Sequence, residues 1–288
     1  MKWLQVVLQV INAVIILTVL NIHFLTKENT HYNSINFYTF PLPIVAAIVL
    51  ILSVFLKFKK INFIVAGVLL TIWVSRSFKI HIPDKVAETD LEVVFWNASR
   101  TNGLEAAFKL NNGVPDILVL VESQTENIAA LKQQYPDLYF YQNEAEIFIS
   151  SKTPIEIITD TVSKYGSTAV HFKTRALHLY AVDVTGSTDV PRSWELGFVN
   201  KTIKKTNNTI VLGDFNVPYE SKYLNYLKTN FTHTFNEKGN GFRETWFYNI
   251  PLLSLDHVWA SKDLKVLKTE KTGTFKSDHS ILTTYIKR

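Results

Sequence analysis

Two short runs, far apart in the chain, hold the residues best suited to chemistry. One is Gly213-Asp214-Phe215-Asn216 and the other is Ser277-Asp278-His279. Each places a carboxylate beside a second hydrogen-bonding side chain at the predicted end of an apolar strand, which is where open sheets place ligand sites. This grouping suits a divalent cation and a phosphate better than it suits a core. The two runs therefore predict hydrolysis of phosphate esters.

Further candidates follow other apolar runs. Glu122 ends the run 117–121, and its carboxylate joins those of Asp214 and Asp278 and the amide of Asn216 as hard oxygen ligands for Mg²⁺ or Mn²⁺. His279 would contribute a proton or a hydrogen bond to the phosphate, oriented by Asp256. A lone Asp-Phe-Asn turn is more often an ordinary loop, so the prediction depends on the whole set.

The elements that must position these residues alternate between strands and helices. Helical patterns cover 106–112, 127–134, 194–206 and 219–230. Strand patterns cover 91–97, 117–121, 145–150, 155–159, 169–172, 176–184, 209–212, 254–260 and 281–286. Many strands with interspersed helices predict a layered α/β domain over 91–288. There is no internal repeat and no GxGxxG or GxxxxGK[ST] motif, so a nucleotide-binding fold has no support.

Ahead of this domain, three apolar runs predict a membrane domain over 1–79. The predicted transmembrane helices are about 3–25, 38–56 and 61–78, and Pro41 and Pro43 lie where the second would begin. A soluble helical hairpin is the alternative, but the runs have no polar face to present to water. No small-x-small cleavage pattern follows the first run, so we expect it to remain as an anchor. Residues 80–90 are polar and predict a linker.

The distribution of lysine predicts the orientation. Lys2 precedes the first helix, and Lys57, Lys59 and Lys60 separate the second from the third, whereas the first loop has only Lys27. Because lysine-rich loops stay in the cytoplasm, three crossings would carry the large domain outside a bacterial cytoplasmic membrane. Arg76 and Lys79 on the outer side act against this orientation.

Charge and cysteine content narrow the function further. The chain has a net charge of +5, but residues 1–83 hold seven Lys or Arg and one Glu and therefore carry +6. Residues 84–288 are left with a net charge of −1. This balance disfavours nucleic acid as the partner, although a local basic groove would not show in the sum. The chain has no cysteine, which excludes a thiol nucleophile and cysteine-bound zinc.

Six short pieces, in order along the chain, resemble the endonuclease/exonuclease/phosphatase superfamily. They are 95–97, 115–122, 213–216, 245–246, 254–257 and 277–279. The superfamily includes deoxyribonuclease I-like nucleases, sphingomyelinases and inositol-polyphosphate phosphatases, and the resemblance covers roughly 90–288. It implies a four-layered α/β sandwich of two packed mixed sheets with outer helices. The apolar helices ahead of it resemble a membrane-anchored bacterial branch of the superfamily.

The resemblance also implies roles for individual residues. Glu122 would be a metal ligand, with Asn97 contacting the metal site or the phosphate and Asp278 completing the metal site. Asp214 would activate or position the attacking water beside the metal.

The phosphate would be held by the remaining residues of the set. Asn216 would bind it, and His279, oriented by Asp256, would face the scissile phosphate. The implied cofactor is Mg²⁺ or Mn²⁺.

One position departs from the superfamily pattern. Most active members carry a histidine that donates to the phosphate at a strand end ahead of the Gly-Asp-Phe-Asn run, whereas the simplest alignment places Asp183 there. An anionic acceptor does not replace a donor unless it is protonated or binds a second cation. His178 lies five residues before Asp183, a spacing that predicts a position on the opposite face of the sheet. His171 would take the place of the expected histidine only if the fold brought it to the site.

Three hypotheses follow. The first is a membrane-anchored, divalent-metal-dependent hydrolase of phosphate esters. The second is a catalytically lapsed domain of the same fold that binds a phosphorylated ligand or an envelope partner, which Asp183 favours. The third is a DNA nuclease. The recognition loops of such folds vary independently of the metal site, so the sequence does not specify the substrate.

Overall fold

The chain forms two compact units, residues 1–78 and 79–288. The structure is a computed structural model that describes residues 2–56 and 59–288. Lys57, one of the lysines used to predict the orientation, lies outside the described residues.

The first unit is helical. Helix α1 (Lys2–Leu20) continues as a π-helical turn (Asn21–Thr26), and is followed by α2 (His31–Thr39), α3 (Leu42–Val54) and α4 (Lys60–Ser77). Side chains such as Val19, Val45 and Leu69 pack together between them. Buried Asn12 and Asn62 exchange two amide hydrogen bonds of 3.2 and 2.8 Å, which satisfy polar groups that would otherwise be costly to bury.

Among the described residues of this unit, two helical segments are long and apolar enough to cross a membrane, Lys2–Thr26 and Lys60–Ser77. The predicted second span is instead a pair, α2 and α3, bent by 67°. The break falls at Phe40 and Pro41 because proline has no N–H to continue the helix, and α3 begins directly after Pro41. The pair counts as a third span only if it crosses as one bent segment.

The second unit is an α/β sandwich. Its helices are α5 (Leu104–Asn111), α6 (Ile128–Gln134), α7 (Arg192–Thr202), α8 (Asn225–Asn230) and α9 (Thr234–Lys238), with a 3₁₀ turn at Lys222–Leu224. Its main strands are β1 (Leu91–Asn97), β2 (Ile117–Val121), β3 (Tyr139–Gln142), β4 (Phe148–Ser151), β5 (Glu156–Val162), β6 (Thr168–Thr174), β7 (Leu177–Asp183), β8 (Thr209–Asp214), β9 (Phe231–His233), β10 (Asp256–Ser261), β11 (Val266–Thr272) and β12 (Ile281–Ile286). Two-residue strands also lie at Phe78–Lys79 and Gly241–Phe242.

These strands form two mixed six-stranded sheets. Sheet I has the order β11-β12-β1-β2-β4-β3, and sheet II has the order β9-β10-β8-β7-β6-β5. The pairs β1–β2 and β7–β8 are parallel, whereas the other neighbours are antiparallel. The predicted α/β fold of two packed mixed sheets with outer helices is confirmed.

Alternating side chains of the central strands build the core. Phe95 and Val119 of sheet I pack against Leu179 and Leu212 of sheet II, and all four are fully buried. The next residues along the same strands, such as Trp96, face outward and pack under α5 and α6. A strand covered on both faces reads as a continuous apolar run, which explains why these strands were visible in the sequence.

Candidate active site

The chemical residues meet at one end of the sandwich, called the site end below. In sheet II, Asp183, Asp214 and Asp256 stand side by side at the ends of β7, β8 and β10. In sheet I, β1 ends at Asn97, and Glu122 directly follows the neighbouring strand β2. Because the two sheets pack face to face, this arrangement brings side chains from both layers into one site.

Gly213 explains why the sheet can place Asp214 where it does. A Cβ at Gly213 would lie 2.1 Å from the carbonyl oxygen of Val182 on the neighbouring strand. Only glycine therefore allows β7 and β8 to approach this closely beside the carboxylates of Asp183 and Asp214.

Asn97 joins the two sheets through its side-chain amide. Its Nδ2 donates to Asp214 Oδ2 at 3.0 Å and to Glu122 Oε1 at 3.3 Å. Glu122 has a φ of 46°, a backbone conformation that is costly for a residue with a side chain and that recurs at functional sites. The amide thus fixes two predicted metal ligands relative to each other.

Asp256 and His279 form a buried pair. Nδ1 of His279 lies 2.8 Å from Asp256 Oδ2, which leaves Nε2 facing Asp214 Oδ2 at 3.9 Å. Burial acts to lower the pKa of His279, but the charges of Asp256, Asp214 and Asp278 outweigh it and raise that pKa to about 10. The imidazole is therefore a cation at neutral pH, with Nε2–H available to a phosphate oxygen.

The backbone around His279 is held by the first strand of sheet I. Trp96 Nε1 donates to the carbonyl oxygen of His279 at 3.1 Å, and the Ser277 hydroxyl donates to the carbonyl oxygen of Asn97 at 2.8 Å. Thr245 Oγ1 accepts from the backbone N–H groups of Leu255 and Asp256, each at 3.2 Å. The separate sequence pieces are thus physically connected, and each positions a neighbour in the site.

Asp278 has a different set of partners. Its carboxylate accepts from the Ser99 hydroxyl at 2.8 Å and from Trp246 Nε1 at 2.9 Å. Partial burial acts to raise the pKa of Asp278, but these hydrogen bonds outweigh it, so the pKa lies below its usual range and the carboxylate is ionised. Its role as a metal ligand stays a prediction.

Asn216 lies beside the carboxylates on a backbone with a φ of 50°. Its backbone N–H donates to Asp214 Oδ1 at 2.8 Å, and its Nδ2 donates to the carbonyl oxygen of Val184 at 2.7 Å. These contacts fix Asp214 and leave the second amide hydrogen and Oδ1 of Asn216 for a ligand. Its predicted role in phosphate binding remains a prediction.

A group of three carboxylates is the strongest sign of a cation site. Glu122, Asp183 and Asp214 offer oxygens that all lie within 4.8 Å of one another, and Asp214, Asp256 and His279 form a second such group among the described residues. Burial, followed by the charges of Asp214 and Glu122, raises the pKa of Asp183 well above its usual range. Burial and the charge of Asp256 likewise raise the pKa of Asp214. A divalent cation fits this donor set because it relieves the repulsion.

In the part of the chain that the structure describes, His171 and His178 do not lie beside Asp183. His171 and His178 lie 3.0 Å apart, ring nitrogen to ring nitrogen, and His171 stacks on Tyr180. His178 and Tyr180 alternate along β7 with Leu179 and Ala181, which face the core between the sheets as Asp183 does. His171 is the partner of Tyr180 on the neighbouring strand β6. Both histidines therefore lie on the opposite face of sheet II, as the spacing of His178 predicted.

Two residues of the site, Ser99 and Arg100, were not predicted from the sequence. Arg100 forms ion pairs with Glu122 at 2.7 Å and with Glu146 at 2.8 Å, and Ser99 bonds to Asp278. Ser99 and Arg100 lie in the loop after β1 with φ of 50° and 57°. The only sequence signal was an arginine close behind Asn97, and a surface loop arginine is too common to single out.

Comparison with known proteins identifies the class of protein to which this fold and site belong. Two packed mixed sheets with a carboxylate, amide and histidine site at one end define a family of nucleases and phosphatases. The Endonuclease/Exonuclease/phosphatase family model matches residues 94–279. The chain belongs to this family, whose members are generally hydrolytic and typically depend on divalent metals. Comparison with curated proteins finds no match.

Solved structures show the same fold at low sequence identity. A family member from Bacteroides thetaiotaomicron is 14% identical with a TM-score of 0.50, and the match covers 72% of this chain and 98% of that one. A Bacteroides vulgatus member is 14% identical with a TM-score of 0.50, covering 69% and 99%. A mannosyl-6-phosphatase from B. thetaiotaomicron is 15% identical with a TM-score of 0.51, covering 68% and 99%.

Proposed function

We propose that this protein is a membrane-anchored hydrolase of phosphate esters that depends on Mg²⁺ or Mn²⁺. The observation that carries the proposal is the convergence of the Asp256–His279 pair and Asp214 with the carboxylate of Glu122, joined by Asn97. A hydrolytic family and a solved phosphatase with the same fold support it.

The chain's own groups divide the work between them. The His279 imidazolium, held through Nδ1 by Asp256, donates from Nε2 to a phosphate oxygen and stabilises the charge that develops there. Asp214, whose pKa is raised above its usual range, accepts the proton of the attacking water. Asn97 and the backbone N–H of Asn216 hold the Asp214 carboxylate in position for that transfer.

The metal would be held by hard oxygen ligands from both sheets. Glu122 and Asp214 would be the central ligands and Asp278 would complete the set, whereas Asn97 positions the first two through its Nδ2 because its Oδ1 accepts from the Ser99 N–H at 3.0 Å. When bound, a divalent cation neutralises phosphate oxygens and eases ionisation of water.

The test uses the full chain in detergent micelles with three substrate classes. With Mg²⁺ or Mn²⁺ added, we expect hydrolysis of a chromogenic phosphodiester, a phosphomonoester or a short DNA, and loss of that hydrolysis in EDTA. Asp214→Asn should lower kcat/KM by about 10³-fold because the general base is gone. Asp137→Asn is the matched control, since Asp137 is exposed and precedes β3 at the opposite end of the sandwich. If none of the three substrate classes is hydrolysed, the proposal that the protein is a hydrolase is refuted.

The proposal includes a place in the cell. The apolar helices support a membrane anchor, and we infer a bacterial cytoplasmic membrane with the domain on its outer side, from the lysine distribution. The substrate is then an extracytoplasmic phosphate ester. Nucleic acid is a weaker candidate, because the net charge from residue 84 onward is −1.

A catalytically lapsed domain is the second candidate, and Asp183 favours it. A carboxylate at the strand end beside Asp214 repels a phosphate that a histidine would attract. Such a domain would bind inorganic phosphate with Mn²⁺ in calorimetry yet show no turnover, and Asp214→Asn would leave its cellular role unchanged. A measurable turnover that Asp214→Asn removes would exclude it.

A further inference from the structure

Exposed aromatic side chains of the second unit are concentrated at the site end. One cluster comprises Phe247, Tyr248, Ile250 and Phe275, of which Phe275 is 82% exposed. The other is Tyr165 and Trp194, whose rings stack with centroids 5.4 Å apart and of which Trp194 is 55% exposed. These six residues are called the apolar rim below. Over the described residues 79–288, every exposed Phe and Trp belongs to this rim.

The first cluster borders the site directly. Trp246 Nε1 donates to the Asp278 carboxylate, and the Tyr248 N–H donates to the Asp278 carbonyl oxygen at 3.0 Å. The two loops that form the cluster are packed together, because a Cβ at Gly273 would lie 2.1 Å from Asn249 Oδ1. Phe275 follows Gly273 by two residues in the same loop.

The second cluster lies across the site from the first. Tyr165 is in the turn between β5 and β6, and Trp194 is in the first turn of α7, after the loop that leaves β7 at Asp183. In sheet II, the order β10-β8-β7-β6-β5 places Asp256, Asp214 and Asp183 between the loop that precedes β10 and the β5–β6 turn. The apolar rim therefore flanks the carboxylates on two sides.

The rim differs from ordinary scattered surface hydrophobics. Val114, Tyr139 and Ile158 are also exposed, but they lie singly on other parts of this unit. The remaining exposed large hydrophobic residues are aliphatic: Ile80, Ile82 and Val86 of the linker, and Val162 at the end of β5. Contiguous exposed apolar surface beside a polar site is typical of a surface that contacts lipid or another protein. Because exposing Phe and Trp to water costs free energy, their restriction to one end is typical of a surface that a partner covers.

The path of the chain identifies the partner. The linker enters this unit at the site end, because the strand that contains Lys79 pairs with Gly241–Phe242. The latter strand follows Gly239, which bridges in parallel to Thr269, and so lies toward the Thr272 end of β11. The linker then runs along sheet I toward the other end: His81 and Asn240 exchange hydrogen bonds of 2.7 and 3.0 Å, and the Asp84 N–H donates to the Leu267 carbonyl oxygen near the start of β11.

The last apolar helix ends only two residues before Lys79, at Ser77. The segment that joins this unit to the apolar helices therefore enters it at the site end and not at the opposite end. Aromatic side chains are the residues that favour the boundary between headgroups and acyl chains.

We infer that the apolar rim contacts the bilayer in which the chain is anchored, and that the substrate is the phosphate ester of a lipid headgroup. This inference rests on the proposed hydrolase and names its substrate class. Contact through the rim would deliver a headgroup phosphate to the carboxylates without removing the lipid from the membrane. The recognised chemistry is a phosphate ester whose acyl chains remain in the bilayer.

Lipid contact is measured first, independently of activity. The chain has no cysteine, so Lys276→Cys in the full chain carries a single fluorophore beside Phe275. In nanodiscs of phosphatidylethanolamine and phosphatidylglycerol, doxyl-labelled lipid should quench this label about threefold more than a label at Lys109→Cys, on the outer helix α5. Adding Phe275→Ser and Ile250→Ser to Lys276→Cys should reduce the quenching to the Lys109 level. Equal quenching at the two labels would overturn the inference.

Substrate class is measured second. Phosphatidic acid and phosphatidylglycerol in the nanodiscs are compared with a water-soluble nitrophenyl phosphate ester. The double variant Phe275→Ser, Ile250→Ser should lower kcat/KM for the lipid about tenfold, because the rim contacts the bilayer less strongly. The same variant should change kcat/KM for the soluble ester by less than about twofold. Tyr139→Ser, which removes an exposed aromatic at the opposite end, should change neither.

The outcomes separate this inference from the proposed function. Hydrolysis of the soluble ester without quenching by lipid would support the proposed hydrolase function and contradict the contact between the rim and the bilayer. Quenching with hydrolysis of the soluble ester alone would overturn the lipid substrate. Quenching without hydrolysis of any ester would support the lipid surface and refute the hydrolase.

Discussion

Asp183 is the residue that most distinguishes this site. It stands beside Asp214 in the parallel pair β7–β8, and its oxygen lies within 4.8 Å of those of Asp214 and Glu122. Its ionised form is disfavoured by burial and then by these two charges, which is why its pKa is raised. In a metal-free protein this carboxylate is therefore destabilising at neutral pH.

Replacing this carboxylate should stabilise the metal-free protein. Asp183→Asn keeps the shape and removes the charge, so we expect Tm in EDTA at neutral pH to rise by about 2–4 °C, which corresponds to about 1 kcal/mol for a unit of this size. The measurement is a melt followed by tryptophan fluorescence, with Asp137→Asn as the control expected to leave Tm unchanged. A fall in Tm would mean that the Asp183 carboxylate makes a favourable contact in the folded state.

The residues of the site that could be foreseen are those that end a strand. Asn97, Glu122, Asp214 and Asp256 follow or begin apolar runs, so the sequence pattern places them at one edge, and the structure brings them together with His279. Ser99 and Arg100 could not be foreseen because left-handed backbone in a loop decides where they point. The chemical roles of all these residues stay predictions until activity is measured.

At the scale of elements, a buried histidine pair connects β9 to β10. His257 Nε2 donates to the Val217 carbonyl oxygen at 3.1 Å, so His257 Nδ1 accepts from His233 Nε2 at 3.1 Å. His233 Nδ1 in turn accepts from the Asn236 N–H at 3.2 Å. This chain of bonds fixes both rings as neutral, and it fastens the start of α9 to sheet II.

The pair should make the fold sensitive to acid. Burial lowers the pKa of His257 to about 3 and that of His233 well below its usual value. The unfolded chain takes up protons near pH 6.5 and the folded chain does not, so stability falls as pH drops from about 6.5 toward 3. Each histidine contributes about 1.4 kcal/mol per pH unit, which for the pair lowers Tm by about 5–10 °C per unit.

Melting temperature against pH checks this. Between pH 6.5 and 5, Tm of the wild type should fall more steeply than that of a variant carrying His233→Gln and His257→Gln, which has nothing to protonate there. His178→Gln, on the outer face of sheet II, should leave the wild-type slope unchanged. Parallel slopes for the wild type and the double variant would show that the pair does not govern acid stability.

Elements were predictable where both faces of a strand are covered. The observed bounds of β1, β2 and β12 coincide with the predicted runs 91–97, 117–121 and 281–286. Strands β3, β9 and β11 were missed because β9 has three residues, β3 is partly exposed, and β11 carries three charged side chains over 266–272. The predicted helix 219–230 is a 3₁₀ turn followed by α8, and it begins at Lys222 because Ser221 caps that turn.

At the scale of the whole molecule, the number of membrane crossings decides which compartment the site faces. The Lys2–Thr26 and Lys60–Ser77 helices each suffice for one crossing, so the bent pair α2–α3 decides the count. Helix α3 has 13 residues and is about 20 Å long, short of a hydrocarbon core of about 30 Å. If the pair crosses, the N-terminus and residues 79–288 lie on opposite sides. If it does not, they lie on the same side.

We predict three crossings, with residues 79–288 outside, because Lys59 and Lys60 follow the pair and favour the cytoplasm. Single cysteines in this cysteine-free chain test it through a membrane-impermeant maleimide applied to intact cells. Lys27→Cys in the first loop and Lys109→Cys in the domain should be labelled, whereas Lys60→Cys should react only after lysis. Labelling of Lys27→Cys and Lys60→Cys without Lys109→Cys would show two crossings and place the site in the cytoplasm, where its lipid substrates would be those of the inner leaflet.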